Sequence, residues 1–566
     1  MDTTNGFARG RTLVAGICAS VTVAAIALTL QAALPQQAEA TTDGWTACGS
    51  CEYQLDDGTL TIRPEDNGTS GYVESEDVEG TGYYNWGWES SATSIKKVVF
   101  EGTCYANSYS SSNCGVSYMF SGCSNLTTVE GLENLNTASA KRFEYMFSGC
   151  SSLTSVDVST FSVNNAVNME GMFYGCSSLT SVGDMSGFNT GNLDYASYMF
   201  YDCSSLTSAD ISSFDFGGVA YLNSMFSGCS SLKSVSISGA DTSGVKHMHS
   251  LFLNCSSLTS LDLSSLDTSN VKTFTSMFSG CSSLKTVDVS DFDTTSATSM
   301  AGMFKDCSSL ASLDVSNFDT TNVTAMDGMF SGDTALRSVT LGSSFAFVSS
   351  DSDDYGPYLP TPVDSTYGSG LWRNQSTGTV YSTPSKVPSN TAATYDVVYS
   401  LANAKLTLSA SSFTYNGKAK KPGVTVKLNG KKLGSSAYSV SYASGRKTIG
   451  RYAVTVKGSS SAGFTGSKTV YFTINPAAAK VKSAKVGKKK MTIKLSKVKG
   501  GVKYQIKYRV KGSKKWKTVT VGKNSKTIKK LTKGKKYQVK ARAFKKVKGK
   551  TYASSWSKVK TTKKVK

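Results

Sequence analysis

Apolar residues recur through the middle of this chain in one fixed order. The stretch "MFSGCSSLTSVDVSTFSV" runs from Met146 to Val163, and close copies of its first half begin at Met172, Met225 and Met277. Leu153, Val156 and Val158 stand in an L-x-x-L-x-L spacing, and the last pair alternates. Alternation predicts a strand with one buried face. A turn around "FDTSN" or "FDTTN" follows, where Asp and Asn bond their own backbone and Ser or Thr caps a helical turn. In "NVTAMDGMF", Val323, Met326, Met329 and Phe330 share one face of a short helical turn. Each unit therefore reads as strand, turn, helical turn and return.

The period is set by one cysteine per unit. Cys123, Cys150, Cys176, Cys203, Cys229, Cys255, Cys281 and Cys307 are spaced by 27, 26, 27, 26, 26, 26 and 26 residues. A ninth copy begins at Met329 and holds Asp333 in the cysteine position. A unit this short cannot bury its apolar face alone, whereas stacked units cover one another. The expectation is a curved solenoid with a parallel sheet along one face. Equivalent residues of adjacent coils then lie about 4.8 Å apart with parallel Cβ vectors. Disulfides need Cβ atoms turned toward each other, so the eight cysteines read as small, buried, structural thiols. A zinc site needs about four clustered ligands, and the chain has only two histidines, His247 and His249. A nucleophilic cysteine would have a histidine partner, not seven equivalent copies of itself. Asp333 is expected at the open end of the stack, where a charge can replace the thiol.

These units resemble BspA-type leucine-rich repeats. The resemblance is carried by the L-x-x-L-x-L core, the cysteine three residues before its first leucine, and the "MF…C" return, over about Tyr118 to Leu341. It implies a secreted or surface-exposed bacterial protein that binds a host or neighbouring-cell ligand, protein or glycan, without catalytic residues.

The flanks set compartment and boundaries. Arg9 and Arg11 precede an apolar run from Leu13 to Leu30, and "AEA" at 38–40 supplies a small-residue cleavage site, so 1–40 reads as a secretory signal peptide. The mature chain is expected to have no membrane span. Residues 41–117 read as an N-terminal cap, with "LDDGTLTIRP" and "SIKKVVFEG" as strands. Cys48, Cys51, Cys104 and Cys114 fall there. An even count in an exported protein suggests disulfides; proximity favours Cys48–Cys51 and Cys104–Cys114, although three pairings are possible.

Charge changes the picture on the sheet face and in the tail. Between the two last strand positions the residue is often acidic: Asp157, Asp210, Asp262, Asp288 and Asp314. Such a ladder is a candidate ligand-facing surface, because stacked like charges repel and invite a cation or a basic partner. A second series, Asp215, Asp241, Asp267, Asp293 and Asp319, falls in the turn and reads as backbone capping.

The net charge of the 566 residues is +21, yet residues 41–395 carry 13 Lys/Arg against 37 Asp/Glu. No acidic residue follows Asp396, and 34 Lys/Arg crowd residues 480–566. After a cap and linker at 346–400, alternating short strands suggest two sandwiches. Residues 401–476 resemble bacterial immunoglobulin-like modules, with Asn429-Gly430 as a hairpin signal. Residues 477–566 resemble a fibronectin type III domain, on Leu531, Gly534 and Tyr537 in "LTKGKKYQVKARA". Leu495 departs from that family, which commonly places a core Trp there.

The basic clusters of the tail hold no aromatic platform along the sequence. An anionic envelope polymer is therefore a better expected partner than nucleic acid. The fold class is mainly β: a leucine-rich-repeat solenoid of eight full repeats plus a terminal one (118–345), with short helical turns, followed by two β-sandwiches. The expected function is noncatalytic surface binding with no cofactor. A secreted polysaccharide- or wall-active enzyme with binding modules is the alternative.

Overall fold

The computed structural model describes residues 44–65, 68–78, 83–106, 115–349 and 356–566. The signal-peptide reading of 1–40 and Cys114 lie outside the described residues. The protein is mainly β, as the alternating pattern requires.

Two parallel ladders join the coils. One runs through the strand positions, pairing Ser208–Asp210 with Ser234–Ser236 and Ser312–Val315 with Ser338–Leu341, each one coil on. The other runs through the return, with bridges from Gly115–Arg142 through Tyr221–His247 to Ser299–Ala325. In the return, alternate amides reach into the next coil. Tyr118 N–H donates to Glu144 O (3.0 Å), Phe120 N–H to Met146 O (2.8 Å) and Gly122 N–H to Ser148 O (2.7 Å). The remaining amides close single turns, such as Cys123 N–H to Phe120 O at 3.2 Å. Left-handed residues at one position per coil, among them Tyr118 (φ 58°), Tyr145 (54°) and Tyr198 (61°), stop these turns from growing into α-helix.

The core is a set of side-chain columns. Nine phenylalanines, from Phe120 to Phe330, stack with centroids between 5.4 Å and 6.3 Å apart. Beside them run the cysteines, all buried and all free thiols. Each from Cys150 onward donates its S–H to a phenylalanine carbonyl of the preceding coil: Cys150 to Phe120 O (3.2 Å), Cys229 to Phe200 O (3.0 Å), Cys307 to Phe278 O (3.1 Å). Burial pushes the pKa of the Cys123 and Cys281 thiols up to about 12, so they keep the proton. The thiol is thus a donor as well as an apolar filler.

The "FDTSN" turn supplies two further columns that the pattern of apolar residues does not announce. Buried Thr190, Thr242, Thr268 and Thr294 donate to the carbonyls of Asp215, Asp267, Asp293 and Asp319 one coil ahead, as in Thr242 Oγ1 to Asp267 O at 3.0 Å. Asn192, Asn270 and Asn322 Nδ2 donate to carbonyls of the coil behind.

A stack of this kind must end, and its end coils expose backbone groups that every inner coil pairs. At the N-terminal end, Trp86 Nε1 donates to Ser117 O (2.7 Å) and Trp88 Nε1 to Met119 O (2.8 Å). The two indoles replace the amides of a missing coil, and Trp88 also stacks on Phe120 at 6.4 Å. The cap sheet joins the solenoid through Lys97–Phe100, which pairs in parallel with Thr128–Glu130. At the other end, Ala393–Ser400 pairs antiparallel with the last repeat strand, Ser338–Leu341, and with Leu371–Asn374. The segment read as a linker at 346–400 therefore contributes the closing strand of the solenoid sheet. The same strand also pairs in parallel with Phe464–Thr465, and the solenoid and the first sandwich share one continuous core.

The first sandwich sets three strands (Lys405–Leu408, Val424–Leu428, Lys431–Lys432) against four (Ser412–Thr414, Ser467–Asn475, Gly450–Gly458, Tyr438–Tyr442). Asn429 and Gly430 both take positive φ (45° and 83°) and join Leu428 to Lys431, the two-residue hairpin their types favour. The last domain has a core of its own. It sets Val481–Gly487, Lys490–Leu495 and Ser525–Lys529 against the sheet built on Lys503–Val510 and Tyr537–Val547. Leu531, Tyr537 and Leu495 are buried there, and Tyr537 Oη accepts from Thr532 N–H at 3.1 Å.

Two stability outcomes follow from the columns and the cap. Trp88→Phe keeps the ring stack but strips the donor from Met119 O, and is expected to cost about 1–3 kcal/mol in denaturant melts. For the thiol column, Cys229→Ser is expected to destabilise less than Cys229→Ala, because serine can still donate to Phe200 O. The opposite order would show the thiol to be a filler alone.

Candidate functional site

The acidic ladder of the sheet face lies exposed, as its alternation requires. Each carboxylate, however, also closes its own turn. Oδ1 of Asp157, Asp210, Asp262, Asp288 and Asp314 accepts from the backbone N–H two residues on, Ser159, Ser212, Ser264, Ser290 and Ser316, at 2.9–3.1 Å. The turn series behaves identically, from Asp215 to Gly217 N–H (2.8 Å) through Asp319 to Thr321 N–H (2.8 Å). The capping role read for one series thus belongs to both. These bonds, with those from the Ser hydroxyls, hold Asp210, Asp262 and Asp288 below the usual carboxylate range. The face carries an open depression of about 430 Å³ between Leu261, Thr286, Asp288, Ser312, Asp314 and Thr340. Among the described residues, no group of three or more His, Cys, Asp or Glu is placed to hold a metal ion.

In the cap, Cys48 and Cys51 face each other across the Gly49–Ser50 turn and carry free thiols. The Cys51 thiol is hydrogen-bonded to Cys104, a neighbour that sequence proximity does not bring forward. Cys104 sits on Thr103–Ala106, which Ser70–Val73 flanks in parallel. The Cys104–Cys114 pairing reaches outside the described residues.

The tail holds a surface that linear reading missed. Trp516 and Trp556 lie 40 residues apart in sequence, yet the strand register places both among cations. Arg509 stands 4.4 Å from the Trp516 ring and Lys540 4.8 Å from it. Lys507 (5.0 Å), Arg542 (4.7 Å) and Lys540 (5.5 Å) surround the Trp556 ring. The expectation of a basic tail without aromatic platforms is therefore corrected: pairing of Lys503–Val510 with Tyr537–Val547 brings them together. In that register Lys507 lies directly opposite Lys540. Like charges so placed repel, and the surrounding indole faces and amides offset this. Arg509 Nε donates to Gln538 Oε1 (2.9 Å) and Arg542 Nε to Gln505 Oε1 (2.7 Å).

Asp333 departs from the reading of a charge at the open end of the stack. It is fully buried beside the segment Tyr358–Thr361, which helps to line a depression of about 470 Å³ over the last coil. Its Oδ1 accepts from Cys307 N–H at 2.9 Å, and Oδ2 has no protein partner. Burial, with a smaller push from Asp306, raises its carboxyl to about 9. At neutral pH the group is an acid holding its proton, a neutral stand-in for the thiol of earlier coils.

Residues 114–239 and 222–341 match the family described as "Mycoplasma protein of unknown function, DUF285". The match covers the repeats and stops short of both sandwiches. No curated protein matches the chain. Among solved structures, the chain is similar to the FN1-FN3 domains of chicken CNTN1, with 16% identity over 29% of this chain and 55% of that one, at a TM-score of 0.16. It is also similar to domains A168-A170 of titin, with 16% identity over 29% of this chain and 66% of that one, at a TM-score of 0.15. The chain thus spans less than two thirds of either. At such scores neither likeness adds to what the strand pairing shows directly: a repeat-containing protein with immunoglobulin- and fibronectin-like modules.

The buried acid makes stability depend on pH with a definite sign. The unfolded Asp333 loses its proton near pH 4 while the folded one keeps it to about 9. Its contribution is therefore fully present below about pH 4 and is lost as pH rises toward 9. Asp333→Cys restores the thiol and removes the dependence. The melting temperature of the variant is expected to exceed that of the native chain by a margin that widens between pH 4 and pH 9.

Proposed function

We propose that the chain is an exported bacterial surface protein whose solenoid presents a ligand-binding surface and whose last domain holds it noncovalently to an anionic envelope polymer. The repeat resemblance to BspA-type proteins supports the adhesin-like half of this reading. The division of charge supports the other half, because the acidic front and the basic tail suit different partners.

One observation carries the anchoring role. The cation row Arg509, Lys507, Lys540 and Arg542 is held in register on one sheet face, in a domain with no acidic residue. Among the described residues the ion pairs all lie earlier in the chain, at Arg63–Glu52, Lys97–Glu130, Arg142–Glu144 and Arg373–Asp396. A row of cations packed against indoles, with no carboxylate to meet, is preorganised for a polymer that brings its own negative charges.

The test uses the chain and its last domain, residues 477–566, which has its own core. Both are expected to bind a poly(glycerol phosphate) polymer with an affinity that falls steeply with salt. Lys507→Gln with Lys540→Gln should weaken binding about tenfold. Lys526→Gln with Lys529→Gln, an equal loss of charge on another strand, should change it by less than threefold. Equal losses would reduce the site to diffuse charge. Tighter binding of single-stranded DNA with the same number of phosphates would make nucleic acid the partner.

A further inference from the structure

The return ladder carries a second, unassigned surface on the first six coils, away from the acidic sheet face. Two rows run side by side there, because residues two apart on an extended segment share a face; Tyr195 and Tyr221 are exposed, whereas Ser117, Glu144, Asn168, Ser197 and Asn223 are buried beneath them. The outer row holds Arg142, Asn168, Tyr195, Tyr221 and His247. The next holds Ser117, Glu144, Glu170, Ser197, Asn223 and His249, one per coil. Contacts between the rows fix them as neighbours: Arg142 Nη1 donates to Glu144 Oε1 (2.7 Å), and Ser197 Oγ to Tyr221 O (3.0 Å).

Aromatic rings bank this polar floor on both sides. On one side Tyr195 and Tyr221 are 53% and 47% exposed, although each carries a large apolar ring. Tyr221 stacks on His247 with centroids 4.6 Å apart and planes within 5°. On the other side Tyr118 stacks on Tyr145 (5.3 Å), Tyr145 approaches Tyr174 (6.2 Å), and Tyr174 stacks on Tyr201 (4.7 Å). Tyr145 lies over Gly171, where an added Cβ would meet its ring at 2.3 Å. Its hydroxyl donates to Glu170 Oε1 at 3.2 Å.

A second observation is independent of the rings. Ser117 Oγ, Glu144 Oε2 and Asn223 Oδ1 are buried side-chain atoms without a protein partner, and all three lie in the floor row. Their residues are 2%, 5% and 8% exposed. Leaving a buried acceptor unpaired costs about 1–3 kcal/mol, so three in one row call for a ligand that brings donors. The ligand must also offer apolar faces to tyrosine rings. Anionic ligands are disfavoured by Glu144 and Glu170, and the guanidinium of Arg142 is already engaged. Hydroxyl groups alternating with C–H faces meet all of these conditions, and the coil spacing of about 4.8 Å is close to the length of one sugar ring.

We propose that the strip from Tyr118 to His247 binds a neutral oligosaccharide along the solenoid axis, its sugar faces against Tyr195 and Tyr221 and its hydroxyls donating to the Glu144 and Asn223 oxygens. This rests on the reading of the solenoid as a ligand-presenting module but moves the contact off the acidic face. The test probes the whole chain against an array of neutral oligosaccharides, with a lysine decapeptide as competitor and intact cells as a parallel arm. At least one neutral glycan should bind. Tyr195→Ala with Tyr221→Ala should weaken it at least tenfold, and Glu144→Gln several-fold. Asp288→Asn with Asp314→Asn should leave it unchanged. A blank array, equal losses from the sheet-face pair, or displacement by the decapeptide would overturn the proposal. Cell binding that persists with a blank array would sink this inference alone, and loss of both would remove the surface-binding reading with it.

Discussion

The solenoid depends on one constraint: each coil supplies the backbone partners of the next. Amides at 118, 120 and 122 have no acceptor within their own coil and find it at 144, 146 and 148. Because a buried, unpaired peptide group is costly, the stack is cooperative along its length and vulnerable at its ends. The core columns obey the same rule. Cysteine, threonine and asparagine side chains each bond a backbone carbonyl of a neighbouring coil, so these repeated polar residues serve as inter-coil bonds.

The ends show how strict the constraint is. Trp86 and Trp88 present indole N–H groups to two carbonyls of the first coil. At the far end Ala393–Ser400 lies antiparallel on the last strand, and Asp333 takes the thiol position in a neutral form. Both devices are local to a single coil, yet they join the solenoid to the cap on one side and to the first sandwich on the other.

Because the interior is fixed by repetition, variation is confined to outward rows. The sheet face carries Asp in five coils, with Gly183, Ser236 and Thr340 in others, and each Asp serves its own turn. The return face changes from coil to coil, passing from Arg and Tyr to His, Thr and Ala. Variation on a rigid frame is where recognition is built, and the exposed rings and unpaired buried oxygens fall on that face. The tail follows a different logic. Its charge is spread through the sequence, and two strands in register gather it into a cation row around two indoles.

The sequence by itself determined the repeat, its period, the buried cysteine column, the Asn429–Gly430 hairpin and the two sandwiches. Each rests on a local pattern, whether alternation, spacing or turn chemistry, that needs no knowledge of distant residues. It also placed the first Asp ladder on exposed positions and read backbone capping for the turn series, but not the same bonds for the first ladder. Only the tertiary structure decided the rest. The partners of Trp86, Trp88 and Ala393–Ser400 are carbonyls and strands far along the chain. Cys51 and Cys104 meet from strands of two different sheets, and Asp333 is buried by a segment that follows it. Trp516 and Trp556 meet the same cations because two strands lie side by side, and the tyrosine strip exists only because coils stack. These contacts join residues separated by a full coil or more, and no periodicity along a single stretch of chain encodes which of them will touch.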